Sequence, residues 1–300
     1  MGRKMYILIV TYNAIPWLPL CCHKAEELPE GWGIIVVDNA STDGTADVLE
    51  KEYPHIHLIR GKENLGFGRA NNLGMRYALE QGADYLYLMN QDSTISIQDI
   101  AELARLHEAH PECWIVSPVQ YNGEGTALDY SFADFCAASG PDVFLNRQGA
   151  HELPKLVYAD WGIAAGWLLP QSTLTAIGGF SPLFLHYGED EDFVNRVRFH
   201  GGKIGIAANV AMRHHRKRRL KRKPFSDRFL DRLMRMADPA QKAAPPTRVL
   251  RFFAGPLLRQ LVSGNTSKAA FLMRACLALM PGDAPGSIRD AVRNKGAAFL

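Results

Sequence analysis

The sequence predicts an α/β protein built on a mostly parallel, doubly wound sheet. Three observations carry that expectation. Short apolar runs rich in β-branched residues alternate with helix-like segments through residues 1–95. Each of the strand-like runs Tyr6–Val10, Ile34–Val37 and Tyr85–Met89 stops at a polar or turn-forming cluster. No segment repeats at a fixed interval, which excludes a solenoid or propeller. With 300 residues, 47% of them hydrophobic, the chain can bury the large core such a sheet requires.

Tyr6–Val10 is a continuous apolar run, as expected for a strand covered on both faces. A helical stretch around Leu18 to Leu28 follows. Ile34–Val37 is a second strand and ends in DNASTDGT, where Ser41 or Thr42 is placed to cap a helix over Ala46–Tyr53. His57–Arg60 reads as a third strand. The loop ENLGFGRANNLG leads into a helix that ends near Gln81, and Tyr85–Met89 is a fourth strand stopping at NQDS. From about Trp114 to Trp161 the pattern reads as loops and short strands that shape a pocket. Order returns with GIAAGWLLP and then with a helix over Glu191–His200, begun by GEDEDF. Its acids sit at the positive end of the helix dipole.

The five cysteines fit no zinc-module spacing and read as small buried hydrophobes in a reducing compartment. The N-terminus lacks a secretory h-region, and no apolar stretch approaches the roughly 20 residues that span a bilayer. The expectation is an intracellular, cytoplasmic protein that does not cross the membrane. Net charge is only +3, but it is unevenly placed. Arg216–Lys223 reads RKRRLKRK. Three segments follow, Phe225–Met236, Val249–Leu261 and Ala270–Met280, in which Phe, Leu and Met interleave with Arg. Residues 216–300 are therefore expected to form a basic amphipathic helical tail on an anionic membrane surface, the alternative being ordinary packing on the sheet domain with the cations facing solvent. A nucleic-acid-binding reading leaves the ordered carboxylate motifs unexplained, and no aromatic-rich RNA-binding signature accompanies the tail.

In open α/β sheets, ligands bind outside the carboxyl ends of the strands. Thr11-Tyr12-Asn13, Asp38-Asn39 and Asn90-Gln91-Asp92 all lie just past strand ends and are expected to converge there. These motifs, with NLGFGRANNLG, IGGF and LHYGEDEDFVNRVRFHGGKI, resemble family-two glycosyltransferases of the GT-A fold. The chain is most similar to bacterial rhamnosyltransferase-like and galactofuranosyltransferase-like members, over about Tyr6 to His215. The resemblance implies a GT-A domain over 1–215, with a nucleotide-sugar half (1–95) and an acceptor half (96–215). It implies inverting transfer from a nucleotide-diphosphate donor, dTDP-rhamnose or a UDP-sugar, to an acceptor hydroxyl. The acceptor it implies is a glycan or lipid-linked sugar of cell-surface polysaccharide synthesis, met at the inner face of the membrane.

Cleaving a sugar–phosphate bond loads negative charge onto the leaving diphosphate. A divalent cation, Mg2+ or Mn2+, offsets that charge and is typically held by one or two carboxylates plus the phosphates themselves. Asp92 is the candidate ligand. The family pattern is Asp-x-Asp, and here Asn90 stands in the first place. By resemblance His214 is the second ligand, with His215 as its rival, and Asp190 is the base with Glu189 in support. The same resemblance assigns Thr11, Tyr12, Asn13, Asp38, Asn64, Arg69, Asn90 and Gln91 to the nucleotide-sugar. Gly166, Trp167, His186, Tyr187 and Asp192 fall to the acceptor. A catalytically degenerate sugar-nucleotide-binding relative is the main alternative, because Asn90 removes one charge. A nucleotidyltransferase would want a glycine-rich loop with a lysine near the first strand, where this chain has VTYN.

Overall fold

The computed structural model describes residues 2–22, 25–138, 154–216, 225–280 and 288–300. The basic run beyond Arg216 lies outside the described residues, as do residues 139–153 of the irregular middle. Strands β1 (Met5–Thr11), β2 (Trp32–Asp38), β3 (His57–Arg60) and β4 (Tyr85–Asn90) coincide with the four apolar runs. Between them lie α1 (Leu18–Cys21), α2 (Thr45–Glu52) and α3 (Phe67–Glu80). Next come β5 (Ser93–Thr94), α4 (Ile97–Ala109), β6 (Cys113–Asn122), α5 (Tyr130–Ala138), β7 (Leu156–Ala159), β8 (Gly166–Pro170), α6 (Gln171–Ile177), α7 (Glu189–Phe199) and β9 (Lys203–His214). Helices α8 (Asp227–Ala237), α9 (Pro246–Val262), α10 (Thr266–Ala278) and α11 (Ile288–Arg293) complete the described chain.

The nine strands form one sheet in the order β3-β2-β1-β4-β8-β6-β9-β5, with β7 paired to β9. The first four strands are parallel, so their carboxyl ends share one edge: Thr11 pairs with Asp38, and Val10 with Asn90. Beyond β4 the sheet is mixed. β8 runs antiparallel to β4, with Gly166 opposite Met89, which brings the residues before β8 to that same edge. β9 runs parallel to β6, and His214 lies opposite both Asn122 and Ser93. Alternate residues of each strand face opposite layers. Ile7, Ile9 and Val36 join a core beneath α4, whereas Leu8, Ile35 and Val37 join another that holds Trp167, Phe180 and Phe193.

The middle of the chain departs from the expected loops and short strands. β6 is a ten-residue strand, preceded by the full-length helix α4. The stretch expected to be helical from Leu18 to Leu28 holds only the single turn α1 and a 3-10 turn over Ala25–Glu27 among the described residues. Neither Ser41 nor Thr42 caps α2. Its N-cap is Gly44 at φ 91°, and Asp43 accepts from the Thr45 backbone N–H at 3.0 Å. Helices α8, α9 and α10 bury Phe229, Leu233, Val249, Phe253 and Leu272 in a core shared with Leu183 and Phe184. The chain then returns to the sheet domain. Gly296 donates to the Ala176 carbonyl (2.9 Å), and Gly179 donates to that of Ala298 (2.8 Å).

Candidate active site

At the carboxyl edge of the parallel strands, hydrogen bonds lock together the motifs expected to meet the nucleotide-sugar. Asp38 accepts from the Thr11 hydroxyl (3.1 Å) and from the Ser41 backbone N–H (3.0 Å), which fixes the turn after β2. Thr11, assigned above to the nucleotide-sugar, is fully buried, and its side chain positions Asp38. Tyr12, 46% exposed, presents its ring at the edge. Its backbone N–H donates to the Gln91 side chain (2.7 Å), which donates back to the Tyr12 carbonyl (3.3 Å). Gln91 thus staples the end of β1 to that of β4. Asn13, at φ 52°, accepts from the Thr42 backbone N–H at 2.9 Å. Asn39 holds the glycine-rich loop, donating to Asn64 (3.0 Å) and accepting from the Leu65 N–H (2.7 Å). Gly66 of that loop has φ 79°, and a Cβ there would lie 2.5 Å from the Leu185 carbonyl. The loop therefore abuts the segment that carries His186 and Tyr187. Arg69 is exposed on the first turn of α3.

A second cluster forms where β4 and β9 end. His214 Nε2 lies 3.2 Å from Asp92 Oδ1 and 3.5 Å from the Asn90 amide nitrogen. His215 turns the other way and bonds the Thr94 hydroxyl at 3.1 Å, so His214 is the histidine facing Asp92. Burial pushes the Asp92 carboxyl up, but the hydrogen bond and charge of His214, its own backbone and Arg216 outweigh this and hold it below its ordinary value. Behind the imidazole sits buried Asp129, its Oδ2 3.9 Å from His214 Nδ1. Arg216 grips Asp129 through Nε at 3.0 Å and through a second guanidinium N–H, and lies over the Tyr130 ring at 4.5 Å. Neither Asp129 nor this role of Arg216 was read from the sequence. Asp129 sits in the irregular middle and also accepts from the Ser131 N–H as an ordinary helix cap would, while Arg216 merges with the basic run.

Two donors facing one point, an imidazole nitrogen and a carboxylate oxygen, suit a hard or borderline divalent cation that takes its remaining ligands from phosphate and water. Among the described residues no third His, Cys, Asp or Glu joins them in a full cage. The buried His214 Nδ1 has no hydrogen-bond partner and faces Asp129, the carboxylate–histidine arrangement that orients metal ligands.

The third cluster opens α7. Gly188 at φ 95° precedes Glu189 and Asp190. Burial raises Asp190 to about 6, against hydrogen bonds from the Glu191, Asp190 and Ala164 backbones that pull it down. Burial and the charge of Asp190 raise Glu189 to about 8, and its Oε2 has no hydrogen-bond partner. The main chain just before β8 joins this cluster to the second. The Ala164 main chain helps hold the Asp190 carboxyl down, and Ala165 accepts from the Asn90 N–H at 3.1 Å. Tyr187, beside Glu189, also feels the charge of Arg216. The three clusters are therefore neighbours, linked through Leu185, Ala164 and Ala165.

Three residues expected at the acceptor are interior. Trp167 is 0% exposed, its ring among Phe180 and Phe193. Gly166 faces Met212 and Tyr87, where a Cβ would lie 2.4 Å from the Met212 sulfur. β8 is a central strand covered on both faces, so its aromatic residue packs inward. Asp192 is buried in an ion pair with Arg196 (2.8 Å), whose other nitrogens donate to the Ile177 and Gly179 carbonyls at 2.7 Å each. His186 is exposed and Tyr187 half-buried, and both remain at the rim.

Residues 6–154 match the family described as Glycosyl transferase family 2. The chain carries a family 2 glycosyltransferase domain. The domain is 35% identical over 109 residues to an undecaprenyl-phosphate mannosyltransferase of Micrococcus luteus, covering 35% of this chain and 44% of that protein. An N-acetylglucosaminyl-diphospho-decaprenol L-rhamnosyltransferase of Mycobacterium tuberculosis is 24% identical over 251 residues, 73% of this chain and 78% of the relative. The chain spans between 34% and 58% of the length of three of the curated relatives it matches. In fold, it is similar to a mannosyltransferase from Pyrobaculum calidifontis solved with GDP-Man and Mn2+. The TM-score is 0.53 at 17% identity, over 97% of this chain and 79% of that one. The family 2 domain is thus of the GT-A type.

Proposed function

We propose that this chain is an inverting hexosyltransferase that moves a sugar from a nucleoside-diphosphate donor to a hydroxyl of a lipid-linked glycan. One observation supports the reading: His214 meets Asp92 at 3.2 Å, and the main chain at Ala164 and Ala165 runs between this pair and the Asp190–Glu189 pair. Asp92 and His214 would hold a divalent cation, Mg2+ or Mn2+, which supplies electrostatic stabilisation of the departing diphosphate. Tyr12 stacks on the base, while the Asn39-held loop bounds the donor. Asp190 takes the proton of the acceptor hydroxyl as that oxygen attacks the anomeric carbon. The sugar–phosphate bond breaks on the opposite face, its electron pair leaving with the diphosphate. A carboxyl raised to about 6 by burial suits this base, being ionised at neutral pH yet more basic than a solvated aspartate.

Support for the acceptor class comes from the relatives, whose names carry undecaprenyl-phosphate and diphospho-decaprenol substrates, and one of which transfers L-rhamnose. No helix among the described residues is long and apolar enough to cross a membrane. Exposed Leu258, Leu261, Val262 and Leu277 beside Arg259 and Arg274 give α9 and α10 a face suited to lying on an anionic bilayer at the inner side of the cell membrane.

The test is calorimetric titration of UDP, dTDP and GDP, with and without Mn2+ or Mg2+, into wild type, Asp92→Ala and Asp190→Asn. One nucleotide should bind in a metal-dependent way, lose affinity in Asp92→Ala and keep it in Asp190→Asn, while turnover of Asp190→Asn falls about 100-fold or more. Absence of nucleotide binding under every metal sinks the reading. Undiminished turnover by Asp190→Asn removes Asp190 as the base.

A further inference from the structure

Away from the crevice, between α8 and the start of α9, lies a cavity of 510 Å3. Five cations surround it: Arg232 and Arg235 from α8, Lys242 from the connection, and Arg248 and Arg251 from α9. Arg235 pairs with Asp231, one turn earlier on α8. Among the described residues the other four form no ion pair with a carboxylate. Assembling like charges around a concavity costs electrostatic energy unless an anion offsets it. Residues 225–300 contain no glutamate and only five aspartates, so the surroundings do little to neutralise the cluster.

The walls narrow the ligand. Four guanidinium groups offer planar forks that match phosphate oxygens in bidentate fashion. Several such forks exceed what one carboxylate could satisfy, and a diphosphate suits them better. Met236 and Phe252 add apolar surface to the same cavity. The volume falls in the range of small-molecule sites, enough for a diphosphate and the first carbons attached to it. Helix α9, 17 residues long, begins at the cavity with Pro246 and turns the positive end of its dipole toward it. The helix that supplies two of the arginines packs against α7: a Cβ on Gly188 would touch Met234 of α8 at 3.4 Å.

We infer that this cavity binds the diphosphate head of an apolar chain, a second anion site apart from the donor crevice. The phosphate rests on the cavity alone. The choice of a polyprenyl-type chain rests on the lipid-linked acceptor proposed above.

The test titrates farnesyl diphosphate, below its micellar concentration, into the full chain, with inorganic pyrophosphate and farnesol as comparators. Two variants accompany the wild type: Arg248→Glu/Arg251→Glu and the conservative Arg248→Lys/Arg251→Lys. The four arginines are exposed, so thermal unfolding should show both variants folded. Farnesyl diphosphate should bind, more tightly than pyrophosphate, and farnesol should not. Charge reversal should weaken farnesyl diphosphate at least about tenfold, while the lysine pair retains most of the affinity. Equal affinity of the reversed variant and wild type overturns the site. Pyrophosphate binding as tightly as farnesyl diphosphate overturns the apolar part and identifies a free-phosphate site. The nucleoside diphosphate selected in the calorimetric test, titrated with metal into the reversed variant, should bind unchanged; its loss there would merge the two sites and overturn the inference. Failure of every nucleotide on wild type, with farnesyl diphosphate still bound, would sink the glycosyltransferase reading and leave the cavity standing.

Discussion

Glu189 and Asp190 are adjacent acids placed where neither is fully hydrated, and their positions on α7 give them different work. Asp190 is half-buried and held by main-chain donors, whereas Glu189 is 7% exposed with one oxygen unpartnered. Activity that needs ionised Asp190 should rise with pH through about 6 and level off above it, which a kcat/KM profile between pH 5 and 8 checks. A profile flat across that range would assign the base elsewhere. For stability, both carboxyls have raised values, so the folded state favours their protonated forms. The contribution is present below the unfolded value near 4.5 and is lost as pH rises toward about 8 for Glu189. Glu189→Gln should therefore stabilise the protein at pH 8 by on the order of a few kcal/mol and change little at pH 4, read from denaturant midpoints. The acids proposed to serve the reaction cost the fold something at neutral pH.

At the scale of elements, α7 is anchored by a buried pair. Arg196 is fully buried, neutralises Asp192, and caps the carbonyls of Ile177 and Gly179 after α6. Arg196→Met leaves Asp192 uncompensated and should cost about 3–5 kcal/mol. The double variant Asp192→Leu/Arg196→Met should recover part of this, and urea titration of both separates the charge from the packing. The same scale explains what the sequence disclosed. β1, β2 and β4 are covered on both faces, so they read as unbroken apolar runs ending at the polar residues that line the crevice. β6 escaped because Ser117, Pro118 and Gln120 interrupt its apolar pattern, and its pairing with β9 shifts register between Pro118 and Val119. The resemblance gives Trp167 to the acceptor, but the residue is fully buried. Only the position of β8 between β4 and β6 shows that the ring faces the core. Asp92, His214 and Asp190, singled out by motif and resemblance, each lie at or beside an element terminus, where side chains can reach a ligand without disturbing a core. Asp129 was not, since its contacts to His214 and Arg216 join residues 85 or more apart in sequence.

For the whole molecule, charge is segregated. Residues 216–300 hold nineteen of the 34 Lys and Arg but only five of the 31 acids. Binding to vesicles containing anionic lipid should therefore weaken steeply as salt rises, whereas neutral vesicles should bind little at any salt. Sedimentation with the two vesicle types decides this, and salt-independent binding would point to insertion of Leu258 and Val262 alone. The helices that carry this charge are also fastened twice. Before them, Arg216 is clamped to Asp129 beside His214. After them, His200 meets the Val292 carbonyl at 3.0 Å, Phe299 covers Arg196, and Ala298 hydrogen-bonds Gly179. Mechanically this is a strap with two buckles. A pull on α9 or α10 would be shared between Asp129 beside His214 and the elements around α7, without peeling one end free. A single proteolytic cut between α8 and α9 should leave one particle on gel filtration, the halves parting only when denatured.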